Sequence, residues 1–148
     1  MKRIAVIATA ALILSNGVAA APPQYFPAPA RQGAPAPFST AVQVGDVLYM
    51  SGQIGVRPDG KLPDTFDAQA KQVMENVGGV LKARGLGWGE VFKCTVMIAD
   101  MKNWPAFNAV YVPYFPAGKL PARSAFGANG LALGAQLELE CLAYAAKK

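Results

Sequence analysis

The 148-residue chain is predicted to fold as a single α+β domain, a mixed β-sheet with two helices packed on one of its faces. Two observations predict this. Two stretches carry apolar residues at helical spacing, and five shorter stretches carry strand signals, in the order strand, strand, helix, strand, helix, strand, strand. A third observation sets the lower boundary of the domain. The first 37 residues share neither pattern, so order is expected to begin near Phe38.

The N-terminus reads as a secretory signal peptide over residues 1–20. Lys2 and Arg3 give a positive start, Ile4 to Leu14 follow without a charge, and Val18 and Ala20 are the small residues before a cut after Ala20. The apolar run is too short to span a bilayer, and no stop-transfer pattern follows, which disfavours a retained anchor. A periplasmic or secreted protein is expected, without membrane attachment after cleavage. Residues 21–37 are rich in Pro and Ala. Pro22, Pro23, Pro27, Pro29, Pro35 and Pro37 are expected to deny this linker a helix or a strand ladder. The domain itself is assigned to residues 38–148.

Within it, Ala41 to Val44 and Val47 to Ile54 are expected to form a hairpin about Gly45-Asp46, with an interruption at Gly52. Arg57-Pro58-Asp59-Gly60 reads as a turn. Asp64 or Thr65 can cap a helix whose apolar face is Phe66, Ala70, Val73, Val77, Val80 and Leu81, and Gly85 is its stop signal. Gly78-Gly79 weaken that helix locally and are read as close packing against the sheet. Residues 91–98 alternate, placing Phe92, Cys94, Val96 and Ile98 on one face and Val91, Lys93, Thr95 and Met97 on the other. A second helix, capped by Asn103 or Asp100 and with Pro105 in its first turn, carries Trp104, Phe107, Val110, Tyr111 and Tyr114 as its apolar stripe. Strands near 123–128 and 135–144 close the chain. The last sends Leu137, Leu139, Cys141 and Ala143 to one face, and Glu138, Glu140, Leu142 and Tyr144 to the other. By spacing alone that second face is an exposed sheet surface with two solvated acids.

Composition removes several chemistries. The chain has no histidine, which excludes Ser-His-Asp and Cys-His triads and every His-based metal site. No glycine-rich phosphate cradle is present, and no metal or cofactor is expected. The net charge of +5 falls by two once Lys2 and Arg3 are removed, and the remaining basic residues are scattered apart from Lys147-Lys148. That is no footprint for nucleic acid. Cys94 and Cys141 could pair in an oxidising compartment, but both lie in apolar strand-like runs, which favours two buried thiols.

Six short motifs occur in order: Phe38-Ser39-Thr40-Ala41, Ser51-Gly52-Gln53-Ile54, Gln69 with Asn76, Asn108-Ala109-Val110-Tyr111, Pro121-Ala122-Arg123-Ser124, and Leu137-Glu138-Leu139-Glu140. Together they resemble the Rid (reactive intermediate deaminase, YjgF-type) family over residues 38–146. The resemblance implies a chorismate-mutase-like fold and a homotrimer whose open sheet faces meet, with clefts between subunits. It also implies hydrolysis of 2-imino acids and their enamine tautomers to 2-oxo acids and ammonia, as a 2-iminobutanoate/2-iminopropanoate-type deaminase. On that reading Arg123 grips the substrate carboxylate and Glu138 positions or activates water. Ser51, Gly52, Phe38 and Asn108 contribute to substrate binding, while Tyr111 is read as core and Glu140 as a rim charge. Many members carry Tyr at the Phe38 position and Cys at the Ala125 position, so this chain departs from the pattern at both. The alternative reading is a non-enzymatic periplasmic binder of small carboxylates, or an interaction protein, using the same inter-subunit cleft.

Overall fold

The computed structural model describes residues 21–30 and 33–146; the expected signal peptide, residues 1–20, lies outside them, as do Lys147 and Lys148. The chain forms β1 (Gln24–Pro27), β2 (Ser39–Val44), β3 (Val47–Met50), β4 (Gln53–Ile54), α1 (Phe66–Lys82), β5 (Val91–Ile98), α2 (Trp104–Tyr111), β6 (Ala122–Gly127) and β7 (Leu137–Tyr144). These make one sheet in the order β1-β2-β3-β7-β5-β6, with β4 continuing along β7 where β3 ends. Every pairing is antiparallel except β5 with β6, which are joined through α2 as a crossover unit. The two-layer α+β architecture is therefore the one expected from the sequence.

Local chemistry explains the boundaries. The β2–β3 hairpin turns at Gly45, whose φ of +55° suits glycine. Thr65 caps α1 by accepting a hydrogen bond from the Ala68 N–H at 3.3 Å. Gly85, at φ +71°, ends the helix while the Leu86 N–H returns to the Leu81 carbonyl. Asp100 caps a short 3-10 turn at Met101–Asn103 that runs directly into α2, with Pro105 in the first turn.

The core lies between the helices and the sheet. Val73, Met74, Val77 and Leu81 of α1 meet Leu48, Val96, Ile98, Leu137 and Leu139 of the sheet, and Phe107 of α2 closes one end. One polar side chain is buried with them. Gln69 donates through Nε2 to the Pro63 carbonyl at 2.8 Å and accepts at Oε1 from the Gln136 N–H at 2.9 Å, which ties the start of α1 to the start of β7. Asn76, two turns further along α1, donates to the Ile54 and Val56 carbonyls and so holds β4 in place beside β7.

Four expectations are corrected. The Pro/Ala-rich segment does enter a ladder: Gln24–Pro27 pair with β2 as the outermost strand. Proline is tolerated there because an edge strand has one side free of partners. The alternation of β5 breaks at its start. The register against β7 shifts between Val91 and Lys93, so Val91 is buried and Phe92 is turned outward. Gly78 faces the Trp88 ring rather than the sheet, and Gly79 faces open space.

The fourth concerns the cysteines. Cys94 and Cys141 sit directly opposite each other on β5 and β7 and form a disulfide, with their Cα atoms 4.1 Å apart. Apolar surroundings were consistent with thiols, but strand register, invisible in the sequence, brings the two sulfurs together. The bridge closes a loop of 47 residues containing α2 and β6. Loop-closure entropy assigns such a bridge about 4 kcal/mol. The double variant Cys94→Ala/Cys141→Ala should accordingly unfold at a lower urea concentration, with a loss of that order; an unchanged midpoint would show that the bridge contributes nothing to stability.

Candidate functional site

Two groups of polar side chains mark candidate sites, one on the open face of the sheet and one at the edge of the core on the helix side. The first surrounds Glu138. Because Leu137 and Leu139 point into the core, the pleat of β7 turns Glu138 to the face away from the helices. Its carboxylate occupies the space above Gly52, where the chain passes from β3 to β4. A Cβ at Gly52 would collide with Glu138 Oε1, so glycine is required for the carboxylate to lie there. Burial pushes the Glu138 carboxyl above its ordinary range, and the charge of Glu140 two residues along adds to the rise. No hydrogen bond within the described residues engages it. The carboxylate opens onto a cavity of about 910 Å³ whose wall includes Phe38, Ser51, Gly52, Ile54 and Leu133.

The second group surrounds Arg123. Its partner across the parallel ladder is Cys94, a core residue, so Arg123 leans to the helix side. There the guanidinium carbon lies 4.4 Å from the ring centre of Trp104 and 4.7 Å from that of Tyr111. These residues and Asn108 follow at positions i, i+7 and i+4 of α2 and share one stripe. The two rings hold the guanidinium by cation–π attraction. Three buried polar atoms of this stripe and strand make no hydrogen bond within the chain: Asn108 Oδ1, the Tyr111 hydroxyl and Arg123 Nη1. Burial pushes the Tyr111 hydroxyl up to about 12, against the opposing pull of Arg123, so it remains a protonated donor. Each orphaned group costs on the order of 1–3 kcal/mol, so three of them together mark this stripe as a candidate site.

Arg123 and Glu138 do not meet within one chain. Glu138 registers with Met97 and, through it, with Phe126, three residues beyond Arg123 on a strand two places away. Strand spacing puts their Cα atoms roughly 14 Å apart, and their side chains leave opposite faces of the sheet. Of the residues singled out in the sequence, Phe38, Ser51 and Gly52 gather with Glu138, while Asn108 gathers with Arg123. The Ser51 hydroxyl is already committed, donating to the Ser39 carbonyl at 2.6 Å. The sequence does not single out Trp104 or Leu133; Tyr111, read from it as core, does belong to the core and also lies against the guanidinium. A usable signal existed for the α2 pair: Asn108 interrupts an otherwise apolar stripe between Trp104 and Tyr111. For Leu133 there was none.

Comparison with known proteins identifies the family and the fold. The model of the family described as endoribonuclease L-PSP matches residues 29–145. The chain is 38% identical over 118 residues to Reactive Intermediate Deaminase A, chloroplastic, of Arabidopsis thaliana, covering 78% of this chain but only 61% of that protein. It is 42% identical over 109 residues to the 2-iminobutanoate/2-iminopropanoate deaminase of Mus musculus, covering 72% of this chain and 80% of that one. Among solved structures, E. coli TdcF with bound serine superposes with a TM-score of 0.71 at 33% identity, over 77% of this chain and 92% of that chain. The chain belongs to this family, the Rid proteins, and has their YjgF-type fold.

The position of Glu138 has a cost that can be measured. A carboxyl whose pKa is raised in the folded state holds a proton that the unfolded chain releases, so stability falls as pH rises from the ordinary carboxylate range through the raised value. Glu138→Gln removes that dependence. Urea titrations should find parent and variant equally stable below the ordinary carboxylate range and the variant more stable at neutral pH. Parity at neutral pH would show that the carboxylate sits there without penalty.

Proposed function

We propose that the protein is a hydrolytic deaminase of reactive 2-imino acids, working as a homotrimer in clefts that draw Arg123 from one subunit and Glu138 from the next. The observation that carries this reading is the division of the site. An unpartnered guanidinium on an aromatic bed and an unengaged carboxylate of raised pKa occupy opposite faces of one sheet, and each is half of what a small carboxylate substrate needs. A second copy supplies the missing half. The open face supports association, since Tyr49, Phe126 and Tyr144 on it are 46, 50 and 55% exposed. The names of the Arabidopsis and mouse relatives support the reaction class, and the serine bound to the E. coli relative supports a small amino-acid-like ligand.

The chemistry follows from the groups present. Arg123 binds the substrate carboxylate through two parallel hydrogen bonds, its plane set by Trp104 and Tyr111. The protonated imine carbon is already electrophilic. Glu138 takes a proton from a water molecule as its oxygen bonds to that carbon, giving a carbinolamine. The same carboxyl returns the proton to nitrogen, the C–N bond breaks as the carbonyl forms, the hydroxyl proton passes through the carboxylate to the departing amine, and ammonium and a 2-oxo acid leave. A carboxyl shifted toward neutrality serves both steps better than an ordinary one. Scattered basic residues and the absence of histidine weigh against the ribonuclease chemistry that the family's description names. Export to the periplasm or beyond is part of the proposal, supported by the signal-peptide pattern of residues 1–20 and by the disulfide, a bond that persists in oxidising compartments.

The test is ammonia release from imines generated in situ by an amino-acid oxidase, using protein expressed with its first 20 residues, which should be recovered beginning at Ala21. Glu138→Gln should lower kcat by about 10²-fold or more, and Arg123→Lys should act mainly on KM. Full activity in Glu138→Gln would refute the mechanism. Binding of 2-oxo acids without turnover by the parent would assign the protein as a carboxylate binder instead.

A further inference from the structure

The cavity beside Glu138 exceeds what a three- or four-carbon acid requires. It is a solvent-open groove of about 910 Å³, a volume in the range of sites for whole drug-sized molecules, over which the adjacent subunit would close. The polar groups on its wall are largely spent within the protein. Thr40 Oγ1 donates to the Pro27 carbonyl, Ser51 Oγ to that of Ser39, and Gln53 Nε2 to those of Ser51 and Gly52. Asn76 Nδ2 is shared between the Ile54 and Val56 carbonyls, and Glu75 accepts from the Tyr114 hydroxyl. Arg57 lies at the exposed outer rim. What faces the remaining space is apolar: Pro29, Phe38, Ile54, Val56, Val80 and Leu133.

Two of these residues are held out toward solvent. Phe38 is 53% exposed and Leu133 is 65% exposed. Leu133 also has φ +58°, and it is the one non-glycine residue with positive φ among the described residues. L side chains seldom adopt that conformation, and strain of this kind gathers where ligands are handled. An exposed leucine in an unfavourable backbone conformation, at the mouth of an apolar cavity beside a reactive carboxylate, is suited to covering an apolar ligand group.

Resting on the deaminase reading, we infer that this site selects 2-imino acids bearing a large apolar side chain, aromatic or branched, over those bearing a methyl or ethyl group. With the carboxylate held by Arg123 of the adjacent subunit and C2 at Glu138, the side chain enters the cavity and contacts Phe38, Ile54 and Leu133. Each added apolar group buried there adds to discrimination, since a single methylene in such a pocket is worth about 10-fold or more.

The experiment compares imines generated in situ from phenylalanine, leucine and alanine, using the full-length protein and Leu133→Asn, in which asparagine tolerates the positive φ. The expected result is a kcat/KM for the phenylalanine imine at least about 10-fold above that for the alanine imine, with the ratio shrinking in Leu133→Asn. A preference for the alanine imine, or a ratio that Leu133→Asn leaves unmoved, overturns the inference. If no imine is turned over, the deaminase reading fails, and the inference is then decided by calorimetry. Tighter binding of 2-oxo-3-phenylpropanoate than of 2-oxopropanoate retains it, and equal or reversed affinities overturn it.

Discussion

The pleat of β7 is the constraint on which the domain and its site both depend, because this strand runs through the middle of the sheet and is paired on both sides. Its odd-numbered residues, Leu137 to Ala143, fill the core against α1, and its even-numbered residues, Glu138 to Tyr144, form the centre of the open face. A slip of one residue would bury two carboxylates and expose the core. Register is secured from several directions at once: by β3 and β4 on one side, by β5 and the Cys94–Cys141 bridge on the other, and by Gln69 at its start. The position of Glu138 is therefore a consequence of core formation and does not depend on a flexible loop.

The site accepts local costs that this framework absorbs. Glu138 is partly desolvated next to the like charge of Glu140. Asn108, Tyr111 and Arg123 each keep a buried polar atom without a partner in the chain, and Leu133 holds a positive φ. None of these features assists folding of a single chain. They concentrate around Glu138 and Arg123, the pattern expected where function and stability compete.

Much of this was legible in the sequence because the patterns that specify it are local. The run from Phe66 to Leu81 with a cap at Asp64 or Thr65 and a stop at Gly85 marks α1, and the alternation of residues 137–144 separates Glu138 from the core. Ser51, Gly52, Asn108, Arg123 and Glu138 could be singled out by resemblance. What could not be read depends on contacts between distant segments. Gln24–Pro27 become a strand only because β2 offers a free edge. The reversal of Val91 and Phe92 arises from a bulge against β7. The disulfide requires the β5–β7 register. The division of Arg123 and Glu138 between opposite faces follows from the parallel placement of β6, which no pattern within residues 122–127 reveals.

The central claim is that one working site needs Arg123 from one chain and Glu138 from another. Mixed trimers test it most directly. Arg123→Ala and Glu138→Gln proteins, each inactive alone, are unfolded together and refolded as a mixture. Every mixed trimer then holds one cleft in which an intact Arg123 faces an intact Glu138. The account predicts that imine hydrolysis returns in the mixture, at a fraction of parental activity set by the mixing ratio. A mixture that assembles into trimers yet remains as inactive as its components would contradict it.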